Sequence, residues 1–313
     1  MYFPYFRGKQ YELITLREMA ADLAGNSIVP ILEPVRENHA GLQRCISELR
    51  KADVPFVLII NPKHGDFKND NRVLVDDIVN GELKGYENFQ VGYLIHSDSE
   101  LSDIISALIP FSDRKLALVH YGYPDGAVLA NELNTKKVTL ESNIFIAGHC
   151  GTLYRRHFKG SAKSSVLIKD GFKKEKNADY PQDEEFSELH LTYEDKGVNA
   201  FGDFLTVGDD YSESGGPAYA VALHLTYFRK DEVINIKHFV SDRTDSPVDP
   251  AGKFLEALQK LVYEVESPGS LVLETSSVRE FKQLYSDGHF PGLGYVKKLS
   301  MKHHLELMLS FLK

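Results

Sequence analysis

Short apolar runs alternate with helical patterns through the first half of the chain, and this rhythm constrains the fold more than any other feature. The apolar runs lie at 28–32, 56–60, 90–95, 116–119 and 143–147. The units recur at a spacing of about 25–30 residues. Uniformly apolar strands that alternate with helices are typical of a parallel sheet covered on both faces. The sequence therefore predicts an α/β fold.

Two architectures fit this rhythm, a (β/α) barrel of the TIM type and an open doubly wound parallel sheet. We favour one TIM-barrel-like domain over residues 1–313, because the units continue without a linker and a polar cluster follows every strand. Regular units cover about residues 26–150. The less regular part, 151–313, is expected to close the barrel and to add a β-hairpin over 219–240. It should end in helices near 250–264, 275–285 and 299–312.

The composition predicts a globular protein of the cytoplasm. Hydrophobic residues make up 42% and charged residues 26% of the chain, and no apolar stretch reaches the roughly 18 residues of a spanning helix. The N-terminal residues lack the apolar region of a signal peptide. Two cysteines, Cys45 and Cys150, are too few for a disulfide framework and fit a reducing compartment. We therefore expect no membrane partner.

The formal net charge of −9 disfavours a protein whose whole surface binds nucleic acid. The segment 154–176 departs from this balance, because arginine and lysine residues interleave there with Tyr154, Phe158 and Phe172. Ring stacking combined with phosphate contacts would make this segment a nucleic-acid or nucleotide surface. A solvated basic face is the simpler interpretation.

The polar residues that follow the apolar runs are the main candidates for a functional site, because ligands of parallel α/β folds bind at the carboxyl ends of the strands. Four consecutive strands end at or near a histidine. The candidate catalytic residues are His64, His120, His149, Asp170 and Asp203. The candidate ligand-binding residues are Glu33, Arg36, Lys63, His96 and Lys174.

These residue types support two kinds of chemistry. Histidines grouped with carboxylates can hold a divalent metal, or they can act as general acid and base near neutral pH. Asp203 lies within an apolar run, where a carboxylate needs a partner. Alternatively, the histidines cap helices or satisfy loop carbonyls. No compact metal-binding signature is present, so a divalent metal cofactor stays open and its identity is unknown.

Several motifs resemble those of an uncharacterised bacterial family. They are the opening run Tyr2–Leu13 (YFPYFRGKQYEL), Asp170–Pro181, Leu189–Tyr193, Phe201–Phe204 and Gly215–Ala220. That family resembles a branch of the wider beta-protein family, named after a bacteriophage protein, in which a motif like Phe201–Phe204 recurs. The resemblance implies a barrel-like α/β fold. It also implies a bacterial gene that travels with a second small gene, in settings that suggest mobile elements or antiviral defence, but no catalytic residues.

Three functions are open at this point. The first is an interaction or sensing protein in a bacterial two-gene system of phage defence, with a protein partner encoded nearby. Its aromatic residues 2–6 would contact that partner or cover the bottom of the barrel. The second is a hydrolase of a phosphate ester, nucleotide or nucleic acid, in which Lys63 and Lys174 neutralise the anion. The third is a non-catalytic sensor of a small ligand.

Overall fold

The computed structural model describes residues 1–213 and 215–312. The first elements, in chain order, are β1 (Tyr5–Phe6), α1 (Gln10–Leu23), β2 (Ile31–Leu32), α2 (Ala40–Lys51), β3 (Phe56–Ile59), β4 (Phe89–His96), α3 (Leu101–Leu108), β5 (Leu116–Tyr121), α4 (Gly126–Thr135), β6 (Leu140–Ile146), α5 (Thr152–Arg156) and β7 (Ala162–Ile168). The remaining elements are β8 (Asp183–Ser187), α6 (Leu189–Thr192), β9 (Ala200–Gly202), β10 (Ala222–Phe228), β11 (Ile234–Val240), α7 (Pro250–Glu266), α8 (Ser276–Ser286) and α9 (Leu293–Leu312).

Contacts between residues divide the chain into two compact units. The barrel unit comprises Met1–Lys169 and Leu189–Asp203. The second unit comprises Asp170–Glu188 and the described residues from Phe204 onward. A single domain over residues 1–313 stays a prediction.

Eight parallel strands form the wall of the barrel unit, in the order β1-β2-β3-β4-β5-β6-β7-β9. The two ends of this sheet meet, because the amide of Phe3 donates to the carbonyl of Phe201 at 2.8 Å and the amide of Tyr5 donates to the carbonyl of Asp203 at 2.9 Å. The sheet is thus nearly closed into a barrel, which confirms the TIM-barrel-like α/β fold. The alternative of an open doubly wound sheet is wrong, since an open sheet leaves its outer strands apart.

Alternation along the strands separates an inner from an outer face of this wall. The outer face includes His120 and Phe145, which pack against the rings of Tyr154 in α5 and Phe158 just after it. The inner face is largely apolar and buried, with Ser142 among its polar residues, so the barrel interior is a packed core and not a channel. Its residues include Ile31, Val57, Val119, Ile144 and Val166.

The aromatic N-terminus belongs to the barrel wall. Tyr2, Phe3, Tyr5 and Phe6 are at most 3% exposed. Burying a side chain of this size contributes about 1.5–3 kcal/mol relative to exposure. These side chains therefore help to hold β1 between β2 and β9. The sequence analysis expected them to cover the bottom of the barrel or to contact a partner. In the structure they are instead part of the buried barrel wall.

Most predicted helices and strands lie within a few residues of the observed ones. The run Leu189–Tyr193 carries strand-like residues in the sequence, but the structure forms helix α6 there. Its apolar residues, Leu189 and Leu191, suit an alternating strand as well as a short helix, so periodicity alone does not separate the two.

The second unit contains a three-stranded antiparallel sheet in the order β10-β11-β8. The predicted hairpin is confirmed as β10 and β11, in which Ala222 faces Val240 and Phe228 faces Ile234. Helix α7 begins at the predicted Pro250, where the side chain of Asp249 accepts a hydrogen bond from the amide of Gly252 at 2.9 Å. The core between sheet and helices includes Leu223, Leu225, Phe254, Leu258 and Phe281.

No helix in the described part of the chain is both long and apolar enough to span a lipid bilayer.

Candidate functional site

Five polar or aromatic residues lie at the carboxyl-end edge of the barrel wall, and we call them the mouth cluster. Arg7 follows β1, Glu33 follows β2, Lys63 follows β3, Tyr121 ends β5 and His149 follows β6. Parallel strands present their carboxyl ends at the same edge, which is where ligands of such barrels bind. The mouth cluster includes the predicted residues Glu33, Lys63 and His149.

Glu33 is the buried carboxylate of the mouth cluster, at 1% exposure. One of its oxygens accepts a hydrogen bond from the Tyr5 hydroxyl at 2.9 Å, and the other accepts from the amide of Lys63 at 2.8 Å. The Nε atom of Arg7 lies 3.7 Å from the same carboxylate. These partners compensate the desolvation of the charge. Glu33 therefore ties together the segments that follow β1 and β3.

A lysine cation and two rings follow one another in a row, formed by Lys63, Tyr121 and His149. The Nζ of Lys63 lies 3.8 Å from the centroid of the Tyr121 ring. The ring of His149 stacks on Tyr121 with centroids 4.1 Å apart and planes 25° from parallel. Tyr121 is partly exposed and His149 is exposed. The row can therefore offer a positive charge through Lys63 and a planar stacking surface through His149.

The other candidates at this edge lie in turns. Nδ1 of His96 accepts a hydrogen bond from the amide of Asp98 at 3.2 Å, so the imidazole caps the turn after β4. His64 is partly exposed in the loop after β3, and Arg36 is exposed after β2. The structure places these three near the strand ends, with His96 in the capping role that the sequence left open.

His120 points from the outer face of β5 into an aromatic pocket. Its Nε2 lies 3.0 Å from the Asn143 amide oxygen and its Nδ1 lies 2.8 Å from the Tyr154 hydroxyl. The rings of Phe145 and Phe158 pack on it, each with centroids 4.5 Å away. Burial lowers the pKa of His120 to about 3, against the opposing hydrogen bond with Asn143. His120 is therefore a neutral core histidine, and the structure does not bring it to the mouth cluster.

Asp203 lies in the seam between the first and last strands. It is 5% exposed, and one carboxylate oxygen accepts a hydrogen bond from the Tyr2 hydroxyl at 2.8 Å. Burial and the charge of Asp203 raise the pKa of that hydroxyl well above its usual range. Tyr2 is thus one of the hydrogen-bond partners that a buried aspartate requires, and this bond links the two ends of the sheet.

Asp170 and Lys174 belong to the second unit. The two carboxylate oxygens of Asp170 accept hydrogen bonds from the amides of Phe172 at 2.9 Å and Asp209 at 2.7 Å. Lys174 is exposed, with its Nζ 3.7 Å from a carboxylate oxygen of Asp210. The structure therefore gives Asp170 the role of stabilising a turn.

The basic segment 154–176 does not present its aromatic rings as stacking surfaces. Phe158 is 2% and Phe172 is 8% exposed, and the Tyr154 hydroxyl contacts His120. Lys163 pairs with Glu141 at 2.9 Å. These contacts favour the simpler interpretation of this segment as a solvated basic face.

Within residues 1–213 and 215–312, no group of three or more His, Cys, Asp or Glu side chains is arranged to hold a metal ion. Both cysteines are buried free thiols, and the Sγ of Cys150 donates to the carbonyl of His120 at 3.0 Å. The divalent metal left open by the sequence has no geometric support in this part of the chain.

Sequence reasoning missed two members of the mouth cluster, Arg7 and Tyr121. Alternation could have found Tyr121, because adjacent strand residues point to opposite faces and His120 lies on the outer one. Arg7 carried no such signal, since β1 is two residues long and was not predicted as a strand.

Comparison with protein-family models, with curated proteins and with solved structures finds no match to this chain. The proposal for its function therefore rests on the mouth cluster.

Proposed function

We propose that this protein is a sensor whose mouth cluster binds a small anionic ligand that carries a planar ring, of which a nucleotide is the simplest representative. The observation that carries the proposal is the row formed by Lys63, Tyr121 and His149. A lysine ammonium attracts a phosphate, and an exposed imidazole stacks on a base. Such a ligand would use both ends of the row.

The cation of the row supports an anionic ligand. The guanidinium of Arg7 already lies beside the Glu33 carboxylate, with Nε and the carboxylate oxygen 3.7 Å apart. The ammonium of Lys63, which is partly exposed, is the group of the mouth cluster that would attract an anion.

Binding fits the polar contacts better than turnover does. Glu33, the buried carboxylate of the cluster, accepts hydrogen bonds from the Tyr5 hydroxyl and the Lys63 amide and lies beside Arg7, so its oxygens are already engaged in contacts within the barrel wall. A hydrolase of phosphate esters stays the second proposal. It is favoured by the exposed imidazole of His149, which could transfer a proton beside the Lys63 ammonium.

Calorimetric titration with ADP and with inorganic phosphate tests this proposal. We expect ADP to bind more tightly than phosphate, because only ADP can stack. Lys63→Ala should weaken ADP binding at least about tenfold, since a charge-assisted contact contributes roughly 1.5–3 kcal/mol. His149→Ala should weaken ADP binding and leave phosphate binding unchanged. Lys159→Ala removes an exposed lysine of the barrel unit and serves as the matched control.

Two results would contradict the sensor. One is the absence of ADP binding at millimolar concentration. The other is an equal loss of affinity in Lys63→Ala and Lys159→Ala. Release of phosphate from ADP, abolished by His149→Ala, would instead favour the hydrolase.

We further propose that the sensor acts in the bacterial cytoplasm as one component of a two-gene antiviral system, with a protein partner encoded nearby. The support is the resemblance of motifs such as Phe201–Phe204 to the bacterial family related to the beta-protein family. The test compares phage plating on three strains. One carries both genes, one carries both genes with Lys63→Ala in this one, and one carries neither. We expect protection only with both intact genes, and equal plating on all three strains would contradict it.

A further inference from the structure

Three polar residues of the second unit lie on one face of its antiparallel sheet. His224 of β10 and His238 of β11 are directly opposite each other, with their Nδ1 atoms 2.7 Å apart. Glu184 of β8 pairs with Ile236, two residues before His238, and its Oε1 lies 3.2 Å from His238 Nε2. The three side chains thus form a continuous hydrogen-bonded chain across all three strands.

The chemistry of these groups assigns the protons. An ionised carboxylate only accepts, so the Nε2 of His238 carries a hydrogen and donates to Glu184. The Nδ1 of neutral His238 is then an acceptor, and the Nδ1 of His224 is the donor. The Nε2 of His224 is left with a lone pair. Among the described residues this atom has no hydrogen-bond partner, and the residue His224 is partly exposed.

The surroundings hold the two imidazoles in place. The ring of Tyr180 stacks on His238 with centroids 4.6 Å apart and meets the edge of His224 at 4.9 Å. The ring of Phe172 contacts His224 edge-on at 5.1 Å. These contacts restrict rotation of both rings and keep His224 Nε2 at a fixed position.

The electrostatic surroundings keep His224 neutral. Its pKa lies well below the ordinary value because of burial, the neighbouring His238 and the positive charge of Lys297. Burial lowers the pKa of His238 as well, but the charge of Glu184 opposes this. The ionic groups that face the pair are Glu184, Asp183, Lys173 and Lys297.

We propose that His224 Nε2 is the nucleophile of a second site, which accepts a phosphoryl group from a small phosphoryl donor. His238 and Glu184 are the positioning residues. The Nε2 lone pair attacks phosphorus, an N–P bond forms, and the bond from phosphorus to the leaving group breaks with its electron pair on that group. The Nδ1 proton of His224 passes to Nδ1 of His238. The charge that develops on His238 lies beside Glu184.

One feature favours a phosphoryl group over a neutral electrophile. The segment 170–176, whose Phe172 ring contacts His224, holds three lysines. The Nζ of Lys173 lies 2.7 Å from a carboxylate oxygen of Glu184. Such lysines give the oxygens of a phosphoryl dianion positive partners beside the imidazole pair. The site lies in the second unit, so it does not depend on ligand binding at the mouth cluster.

Incubation of the whole protein with phosphoramidate tests this site. The leaving group is then ammonia, which takes no proton from the protein. We expect a phosphohistidine that is stable in alkali and labile in acid by phosphorus NMR, and that mass spectrometry maps to His224 in the wild-type chain. His224→Asn should lose the label, whereas His289→Asn, at an exposed histidine of the same unit, should keep it.

The positioning role has its own readout. Glu184→Gln should slow labelling about tenfold or more, and Glu184→Asp, which keeps the charge, should restore part of the rate. Far-ultraviolet circular dichroism of each variant checks that it is folded. Absence of label at wild-type His224, under conditions that phosphorylate a histidine peptide, would overturn the proposal. So would equal labelling of His224 and His289.

Discussion

At the residue scale, the hydroxyl of Ser142 in β6 and that of Ser161, just before β7, differ in whether they have a hydrogen-bond partner. Ser142 is fully buried, and its Oγ has no partner among the described residues. The Oγ of Ser161 accepts from the side-chain amide of Asn143 at 2.9 Å and donates to the carbonyl of Phe158 at 2.8 Å. The two serines should therefore respond oppositely to loss of the hydroxyl.

Replacement of each serine by alanine measures this difference. Ser142→Ala should raise the free energy of unfolding by about 0.5–1 kcal/mol, because it removes a desolvated group that makes no bond. Ser161→Ala should lower it by about 0.5 kcal/mol, because it removes the hydrogen bonds to Asn143 and Phe158 at an exposed residue, where water replaces part of them. Urea unfolding of both variants gives the two values, and a loss of stability in Ser142→Ala would contradict the account.

His120 should make stability depend on pH. Its pKa is about 3 in the folded chain, below the value of about 6.5 for an unfolded histidine. Between these values the unfolded state binds more protons, so the contribution of His120 is full above about pH 6.5 and is lost as pH falls toward 3. At pH 5 the loss relative to pH 7.5 is about 2 kcal/mol.

Urea unfolding at pH 7.5 and pH 5 tests this contribution. His120→Gln should lower stability at both values but reduce the difference between them. His157→Gln, at an exposed histidine, should leave the difference unchanged. An unaltered difference in His120→Gln would show that His120 does not carry this pH dependence.

The sequence located part of the mouth cluster and could not rank its candidates. Glu33, Lys63 and His149 followed from the rule that ligands bind at strand ends. His120 and Asp203 satisfied the same rule but lie in the outer wall and in the β1–β9 seam. Alternation divides the residues of a strand between two faces, but which face points inward depends on the pairing of the strands, so the sequence alone did not separate these candidates.

At the scale of elements, closure of the barrel depends on close approach of two backbones. A Cβ atom added at Gly202 would lie 2.0 Å from the carbonyl oxygen of Phe3, a distance that no flexible side chain can relieve. Only glycine therefore allows the end of β9 to pair with the segment that leads into β1.

Gly202→Ala should lower the free energy of unfolding by about 3 kcal/mol or more, because the backbone of the seam must separate. Gly148→Ala is the matched control, since a Cβ there meets nothing within 4 Å. Thermal unfolding compares the two variants. Equal melting temperatures would contradict the close approach at the seam.

The same seam explains which elements the sequence could not predict. Helices such as α2 and α3 show their apolar residues at helical spacing and were predicted nearly to their ends. Strand β1 has two residues and β9 has three, which is too short for any period to show. Their pairing is stabilised by contacts about 200 residues apart in the chain, including the bond between Tyr2 and Asp203.

At the scale of the whole molecule, the sequence predicted the fold class from its repeated strand–helix units, but it did not predict the second unit. The repeated units determine a parallel barrel because each one adds a strand and a covering helix. The second unit joins β8 to β11 across about 50 residues, and its segment 170–182 reads as a polar loop. The His224–His238 pair likewise arises only once β10 and β11 are in register.

The central claim is that the mouth cluster binds a phosphorylated, ring-bearing ligand, and hydrogen–deuterium exchange with saturating ADP tests it most directly. We expect slower exchange in residues 61–66, 120–123 and 147–151, which surround Lys63, Tyr121 and His149, and no such change in Lys63→Ala. Exchange that ADP leaves unaltered at these three segments, or slows only outside the barrel unit, would contradict the claim.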